Sequence, residues 1–450
     1  MTSVASPTII DHATPPGWFE RTRHWWVLAT LFGATFLNYF DRQTLSVALE
    51  PISREFSLTT ADRGTLLASF VYAYALAHLF IGFIIDRAQN IRRFFALMVI
   101  GWSLSTVLVG LATQYTHILW LRYALGVFEA ANFPLCLLLI ARLFPPHQRS
   151  LAAGIFNSGA VLATLAAPKL VIYFSTEYNW RYSFYVTGGL GLIWLVPWLL
   201  VFRDRPTPTP HPLKGASAPP EASAPFRGWG VKVATPSSGA VPPFRAVRRV
   251  GLGVGVFRLP AFWMVTLIGI GLLPGWYFMS QWLPTYLTQT WKVAYNQSLG
   301  DRLTLVYLVQ DVGLWVGGGL VWWLSKRMSV LSARKWVILV AYGLMMSILL
   351  LPQVRSVEAT VAVLCVYVFG LAAWQANQQA FKQDVLPRRV ATVAALVGFA
   401  ETMSSAFLVQ KVGQVAQDTG GFNAIFWLLA GCFTVAVVAV VCLRKTWLTL

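Results

Sequence analysis

Apolar residues recur along the chain in blocks of about 20 separated by short polar stretches, the length of helix that crosses about 30 Å of hydrocarbon. Six blocks fall at residues 25–49, 64–85, 94–113, 118–143, 151–174 and 180–202. A long polar interruption follows, and then six more, at 260–287, 303–324, 335–351, 357–381, 390–412 and 422–443. The pattern predicts an all-α polytopic membrane protein with twelve transmembrane helices in two pseudo-symmetric six-helix bundles.

The interruption is rich in Pro, Gly, Ser and Ala, with Pro206, Pro208, Pro210, Pro212, Pro219, Pro220, Pro242 and Pro243, and such a segment cannot bury a core of its own. It divides the chain into an N-terminal tail (1–24), an N-terminal bundle (25–202), a cytoplasmic linker (203–258), a C-terminal bundle (259–443) and a C-terminal tail (444–450). Two six-helix halves joined by a basic linker is the plan of secondary transporters that rock around a central site.

Composition agrees with the pattern. Only 12% of the 450 residues are charged, 56% are hydrophobic and the mean hydropathy is +0.60. The formal net charge of +18 would suggest nucleic acid if the basic residues formed one patch, but they are spread over every second loop: Arg87, Arg92 and Arg93; Arg142 and Arg149; the linker; Lys326, Arg327, Arg334 and Lys335; Arg388 and Arg389. Under the positive-inside rule this puts both termini in the cytoplasm. The expected setting is the inner (plasma) membrane, with a monomer whose partners are the bilayer, a small anionic substrate and protons. No short apolar core with a small-residue cleavage site follows the first 24 residues, so no cleaved signal peptide is expected. Cys136, Cys365, Cys432 and Cys442 lie scattered in apolar runs and suggest neither disulfides nor a metal site. There is no GxxxxGK[ST] loop, and Gly251, Gly253 and Gly255 stand in the linker rather than at a strand-to-helix turn. No cofactor, metal or enzymatic activity is expected. Asn296-Gln297-Ser298 fits a glycosylation sequon by chance.

A charge near the bilayer centre costs at least about 2.5 to 3.5 kcal/mol on insertion scales, so each one within a block asks for a reason. In the first block Asn38, Asp41, Arg42 and Leu45 share one helical face. The fourth block places Arg122, Gly126, Glu129, Asn132 and Phe133 on one stripe, and Pro134 frees a backbone carbonyl beside them. Asp311, among Gly313, Gly317, Gly318 and Gly319, is either a second proton site or a structural hydrogen bonder. Glu401 has Thr402, Ser404 and Ser405 at hand to satisfy it locally, and Lys169 can snorkel to an interface. Tyr74, Asn157, Ser158, Tyr277, Gln281, Trp282, Trp374, Gln375 and Asn377 mix aromatic faces with amides, a composition suited to a polyol.

Gly82-Phe83-Ile84-Ile85-Asp86-Arg87 with Arg92-Arg93 resembles the cytoplasmic loop between helices 2 and 3 of the major facilitator superfamily, where the aspartate latches gating helices; Asp86 and Arg87 are the corresponding gate residues. Asn38-Tyr39-Phe40-Asp41-Arg42-Gln43-Thr44-Leu45-Ser46, together with Arg122, Gly126, Glu129-Ala130 and Asn132-Phe133-Pro134, resembles the anion:cation symporter family, most closely its hexuronate and galactonate-type transporters. The likeness covers nearly all the apolar blocks. It implies proton-coupled import of a hexuronate or related sugar acid by alternating access, with another carboxylate (a dicarboxylate or aromatic acid) or a transporter-like ligand sensor as alternatives. By the same resemblance Asp41 and Glu129 couple protons, Arg42 meets the substrate carboxylate, Arg122 pairs with the fourth-helix acid, and Tyr74, Asn157, Trp374 and Asn377 line the cavity. This chain departs from the hexuronate pattern at Leu138, Leu371, Ala372 and Glu401.

Overall fold

The computed structural model describes residues 18–144, 148–204, 256–385 and 390–443. Among them the chain is helical throughout, without strands: α1 (Trp18–Glu55), α2 (Thr60–Arg87), α3 (Ile91–Gly110), α4 (Tyr115–Glu129), α5 (Asn132–Leu143), α6 (Arg149–Glu177), α7 (Trp180–Val201), α8 (Pro260–Thr290), α9 (Gln297–Leu324), α10 (Val330–Met345), α11 (Val357–Val385), α12 (Val390–Thr419) and α13 (Asn423–Cys442). α4 and α5 continue one another, and α10 runs on into a 3-10 segment, Met346–Gln353, so the helices make twelve rods. Ten rods are long and apolar enough to cross a membrane. The two that fall short are α1 and α12, each carrying buried charge: Asp41 in the first and Glu401 in the second.

Helix starts follow local chemistry. Thr59 and Asp62 form a capping box at α2, the Asp62 amide donating to Thr59 Oγ1 at 3.1 Å and the Thr59 amide to Asp62 Oδ2 at 3.0 Å. Asn90 caps α3 by accepting from the Arg93 amide at 2.8 Å. The Asn296-Gln297-Ser298 sequence is likewise a cap: Asn296 Oδ1 accepts from the Ser298 amide at 3.0 Å, which starts α9 ahead of the apolar block at 303. α1 begins at Trp18 rather than 25 and runs through Pro51 to Glu55, until Ser57 takes a left-handed backbone with φ 53°. The expected tail at 1–24 is thus already helical from Trp18. Residues 1–17, most of the linker (205–255) and the end of the chain (444–450) lie outside the described residues.

Each half builds its own bundle. α1 packs on α6 and α7, α3 on α4 and α7, and α2 on α4; in the other half α9 and α10 pack on α11, and α8 on α12 and α13. The halves meet through α2 against α12, α6 against α9 and α1 against α8. We call the end at Trp18 and Val201 the near end and that at Glu55 and Thr60 the far end. Several ties between the halves lie toward the far end: Tyr72 Oη to Gln410 Oε1 at 3.0 Å, the Ala61 amide to Gln417 Oε1 at 3.0 Å, and Lys169 Nζ to Asp301 Oδ1 at 2.7 Å. Lys169, expected to snorkel, has a half-exposed side chain whose ammonium bridges α6 and α9. Gly64 of α2 and Gly413 of α12 bring the two backbones together; a Cβ on Gly64 would stand 2.8 Å from the Gln410 carbonyl and 3.1 Å from Gly413 Cα.

Candidate functional site

The charged residues of the first and fourth rods converge in the N-terminal half. Arg42 Nε donates to Glu129 Oε2 at 2.8 Å, joining α1 to α4. Glu129 is fully buried, Asp41 2% exposed and Arg122 1% exposed. Arg122 of α4 and Thr106 of α3 stand beside Asp41. Two acids and two arginines make the cluster neutral overall, which is how four charges persist in a medium where a lone one is expensive.

Aromatic rings hold Arg42 in place. Its guanidinium lies 4.4 Å from the Tyr74 ring centre, 5.0 Å from Tyr39 and 5.1 Å from Phe70, and the Arg122 guanidinium lies 4.9 Å from the Phe70 ring centre. Phe70, Tyr74 and His78 recur every four residues on α2, with Phe70 and Tyr74 stacked. Gly126 lets α2 approach α4 this closely, since a Cβ there would stand 2.5 Å from the Phe70 carbonyl and 3.0 Å from the Tyr74 amide. Tyr277 of α8 reaches the neighbourhood of Arg42 from the C-terminal half.

Glu129 is the last residue of α4, and Ala130 and Ala131 separate it from α5. Pro134 has no N–H to return to the Ala130 carbonyl, so the rod breaks beside the cluster, as the sequence implied. Thr106 stands by Asp41 and Asn38 by Glu129, while Nε and Nη2 of Arg122 remain without a hydrogen bond. Among the described residues Arg42 hydrogen-bonds through Nε alone, and its side chain is 16% exposed. The site therefore offers a partly accessible guanidinium backed by a fully buried one, with donors that await a partner.

The structure brings together Asp41, Arg42, Tyr74, Arg122 and Glu129. It differs from the resemblance in one pairing: the hydrogen-bonded partner of Glu129 is Arg42 on another helix, whereas two Arg122 nitrogens go unpaired. Asn157 is exposed on α6 and spends its amide on the Ala153 carbonyl at 2.8 Å. Trp374 and Asn377 belong to α11; Trp374 is fully buried with Nε1 unpartnered, and Asn377 donates to the Ala373 carbonyl at 2.9 Å. Arg87 is exposed at the end of α2, and the Asp86 side chain lies outside what the structure describes. No grouping of His, Cys, Asp or Glu among the described residues suits a metal ion.

Sequence reasoning missed the partner of Glu401. Ser404 and Ser405 do not satisfy its carboxylate; their hydroxyls donate to its backbone carbonyl at 2.8 Å. The carboxylate instead accepts from Lys382 Nζ at 2.5 Å and Gln378 Nε2 at 3.0 Å, both from α11. The i to i+4 step from Gln378 to Lys382 was a readable signal of one polar helix face.

The sequence pattern of the Major Facilitator Superfamily matches residues 31–409. The chain is 28% identical over 339 residues to a D-galactonate transporter of Escherichia coli O6:H1, covering 72% of each protein. It is 24% identical over 410 residues to the hexuronate transporter of Escherichia coli K12, covering 90% of each, and 26% identical over 421 residues to that of Bacillus subtilis, covering 92% of this chain and 93% of the relative. Among solved structures, a bacterial homologue of the human lysosomal transporter Spinster, in an inward-facing and unoccupied conformation, superposes with a TM-score of 0.68 at 20% identity, covering 93% of this chain and 94% of its own. A nucleoside transporter superposes with a TM-score of 0.69 at 11% identity, covering 93% of this chain and all of its own. With its twelve helical rods and a pattern match spanning both halves, this multi-pass membrane protein belongs to the major facilitator superfamily.

Proposed function

We propose that the protein is a proton-coupled symporter that imports a hexuronate or related sugar acid by alternating access, with the near end and both termini in the cytoplasm and the chain in the inner (plasma) membrane as a monomer. The observation that carries this reading is the neutral buried cluster of Asp41, Arg42, Arg122 and Glu129, with an accessible guanidinium and unpartnered polar atoms. A monocarboxylate docking on Arg42 would leave that cluster one negative charge in excess in a low-dielectric setting. Protonation of Asp41 or Glu129 restores neutrality, so anion and proton favour one another, and by linkage each raises the affinity of the other by the same factor. The named relatives transport galactonate and hexuronates, which supports a sugar acid as the anion.

In this reading Arg42 takes the substrate carboxylate through two parallel hydrogen bonds, Tyr74 stacks on the sugar, and Arg122 supplies the deeper positive charge. Asn157, Trp374 and Asn377 complete the cavity as the halves close, and Asp86 with Arg87 gates the cytoplasmic side. Residues 203–258 serve as the cytoplasmic linker between the bundles. The test is uptake of D-galactonate and D-glucuronate into proteoliposomes with and without an inward proton gradient. Accumulation driven by the gradient is expected, and Arg42→Lys should lower the affinity at least about tenfold, near 1.4 kcal/mol, because an ammonium cannot reproduce the planar fork. Uptake of neither acid, in a protein that a thermal-shift screen shows to be stabilised by dicarboxylates or aromatic acids, would replace the substrate class.

A further inference from the structure

The C-terminal half holds a second buried ion pair that the site above does not use. Lys382 is 6% exposed and Glu401 3% exposed, and their 2.5 Å contact joins α11 to α12. Gln378 completes the arrangement: its Nε2 donates both to Glu401 Oε1 at 3.0 Å and to the Val265 carbonyl of α8 at 3.1 Å. Gly269 of α8 makes room, because a Cβ there would occupy the space taken by the Glu401 carboxylate. Three helices therefore converge on one carboxylate.

We propose that Glu401 is a second proton-exchange site, carried by the C-terminal half, with the Lys382 ammonium as its counter-ion. The feature that separates this from a structural pair is Gln378 Oε1, a buried acceptor with no hydrogen bond, on the same amide that serves the carboxylate. An ionised Glu401 can only accept, and the amide N–H₂ donates to it. Once Glu401 is protonated it has an O–H to give, and the unpartnered Gln378 oxygen is the acceptor beside it. One amide thus accommodates both protonation states without a new residue. In the step itself a proton from water adds to a Glu401 carboxylate oxygen, and the site passes from neutral to one positive charge on Lys382; release of that proton to water restores the pair.

Among the described residues, α2, packed on α12, carries Asp86 and Arg87 toward the near end, and Arg334 of α10 lies over the Phe381 ring of α11. α8 and α13 contain no Asp, Glu, Lys or Arg; the Tyr277 of α8 is directed to Arg42, and Cys432 and Cys442 are the thiols of α13. His78, the histidine of α2, packs on Tyr74. Each half then carries one neutral cluster able to take one proton, which suits an anion bearing up to two negative charges. This inference deepens the symport reading and rests on it for its role in transport.

The experiment reads the carboxyl group directly, by infrared difference spectroscopy of the purified protein during acidification. Expected is a protonated-carboxyl carbonyl band that disappears in Glu401→Gln and persists in Asp41→Asn. In proteoliposomes the number of protons carried per D-galactonate, taken from reversal potentials, should fall by one in Glu401→Gln. Because that single change strands Lys382, the double variant Lys382→Met/Glu401→Gln, which removes both charges, gives the same two readings if the single variant does not fold. A spectrum from which Glu401→Gln or the double variant removes no band, or an unchanged proton count in either variant, overturns the proposal. Should the wild type take up neither D-galactonate nor D-glucuronate, the sugar-acid symport reading fails, and the infrared result alone decides this one.

Discussion

Asp41 and Glu129 are both acids buried in the same cluster, yet replacing them has different consequences. Asp41 takes no part in the Arg42–Glu129 bond, so Asp41→Asn removes a charge without breaking it. That variant leaves the buried Arg122 with one counter-charge fewer, so its melting temperature should fall, but by less than that of Glu129→Gln, while gradient-driven accumulation is lost and exchange survives. Glu129→Gln leaves the part-buried Arg42 among rings without its hydrogen-bonded counter-ion, and stranding one partner of a buried pair costs up to about 3–5 kcal/mol. That variant should therefore lose both accumulation and thermal stability. Full accumulation by the two neutral variants would remove both acids from coupling. The acids and arginines were legible at this scale because charges inside apolar blocks stand out and helical spacing assigns them a face. Their pairing was not legible, since Arg42 and Glu129 are 87 residues apart and only the crossing of α1 and α4 decides which acid meets which arginine. Lys382 escaped for the same reason, its partner lying 19 residues on and on a different helix.

At the scale of elements, the twelve rods could be read from block length, while two interruptions needed different information. The break between α4 and α5 was implied by Pro134, whereas the extension of α1 to Trp18 depends on packing at the near end, where Arg23 Nε donates to the Val201 carbonyl at 2.9 Å. The crossing of α2 and α12 was not readable, because Gly64 and Gly413 each look like an ordinary glycine in a helix until the opposite backbone is in place. A side chain at either would have to push backbone away, which no rotamer change can do. Gly413→Leu is accordingly expected to separate the halves at the far end. With spin labels on Ala61→Cys and Gln417→Cys in a cysteine-free background, the distance distribution should shift outward relative to the same pair with Gly413 intact. An unchanged distribution would show that the far-end contact is not a closure that the glycines permit.

Across the whole molecule, the net charge of +18 is organised rather than spread. The near-end helix termini and loops hold Arg87, Arg92, Arg93, Arg142, Lys326, Arg327, Arg334 and Lys335, while at the far end Arg54, Arg63, Arg181 and Arg302 are paired with Glu50, Glu55 and Glu358, and Lys292 and Arg355 stand in the loops. Translocating the near-end set would mean carrying many cations across hydrocarbon, so the basic face should stay on the side of synthesis. Under the proposed orientation, the end joined through Gly64 and Gly413 would face outward and the near end would face the cytoplasm. Ser329, which caps α10 at the near end, and Ser356, at the start of α11, lie on opposite ends of one rod pair and are both exposed. Single cysteines at Ser217 and Ser329 should react with a membrane-impermeant thiol reagent only when the cytoplasmic face is presented, and a cysteine at Ser356 only from outside, each in a cysteine-free background. Because one connected chain of alternating rods cannot invert at a single position, labelling of Ser217→Cys and Ser329→Cys from opposite faces would break the two-bundle topology itself. Labelling of all three from reversed faces would keep the fold and overturn the proposed orientation of the two ends.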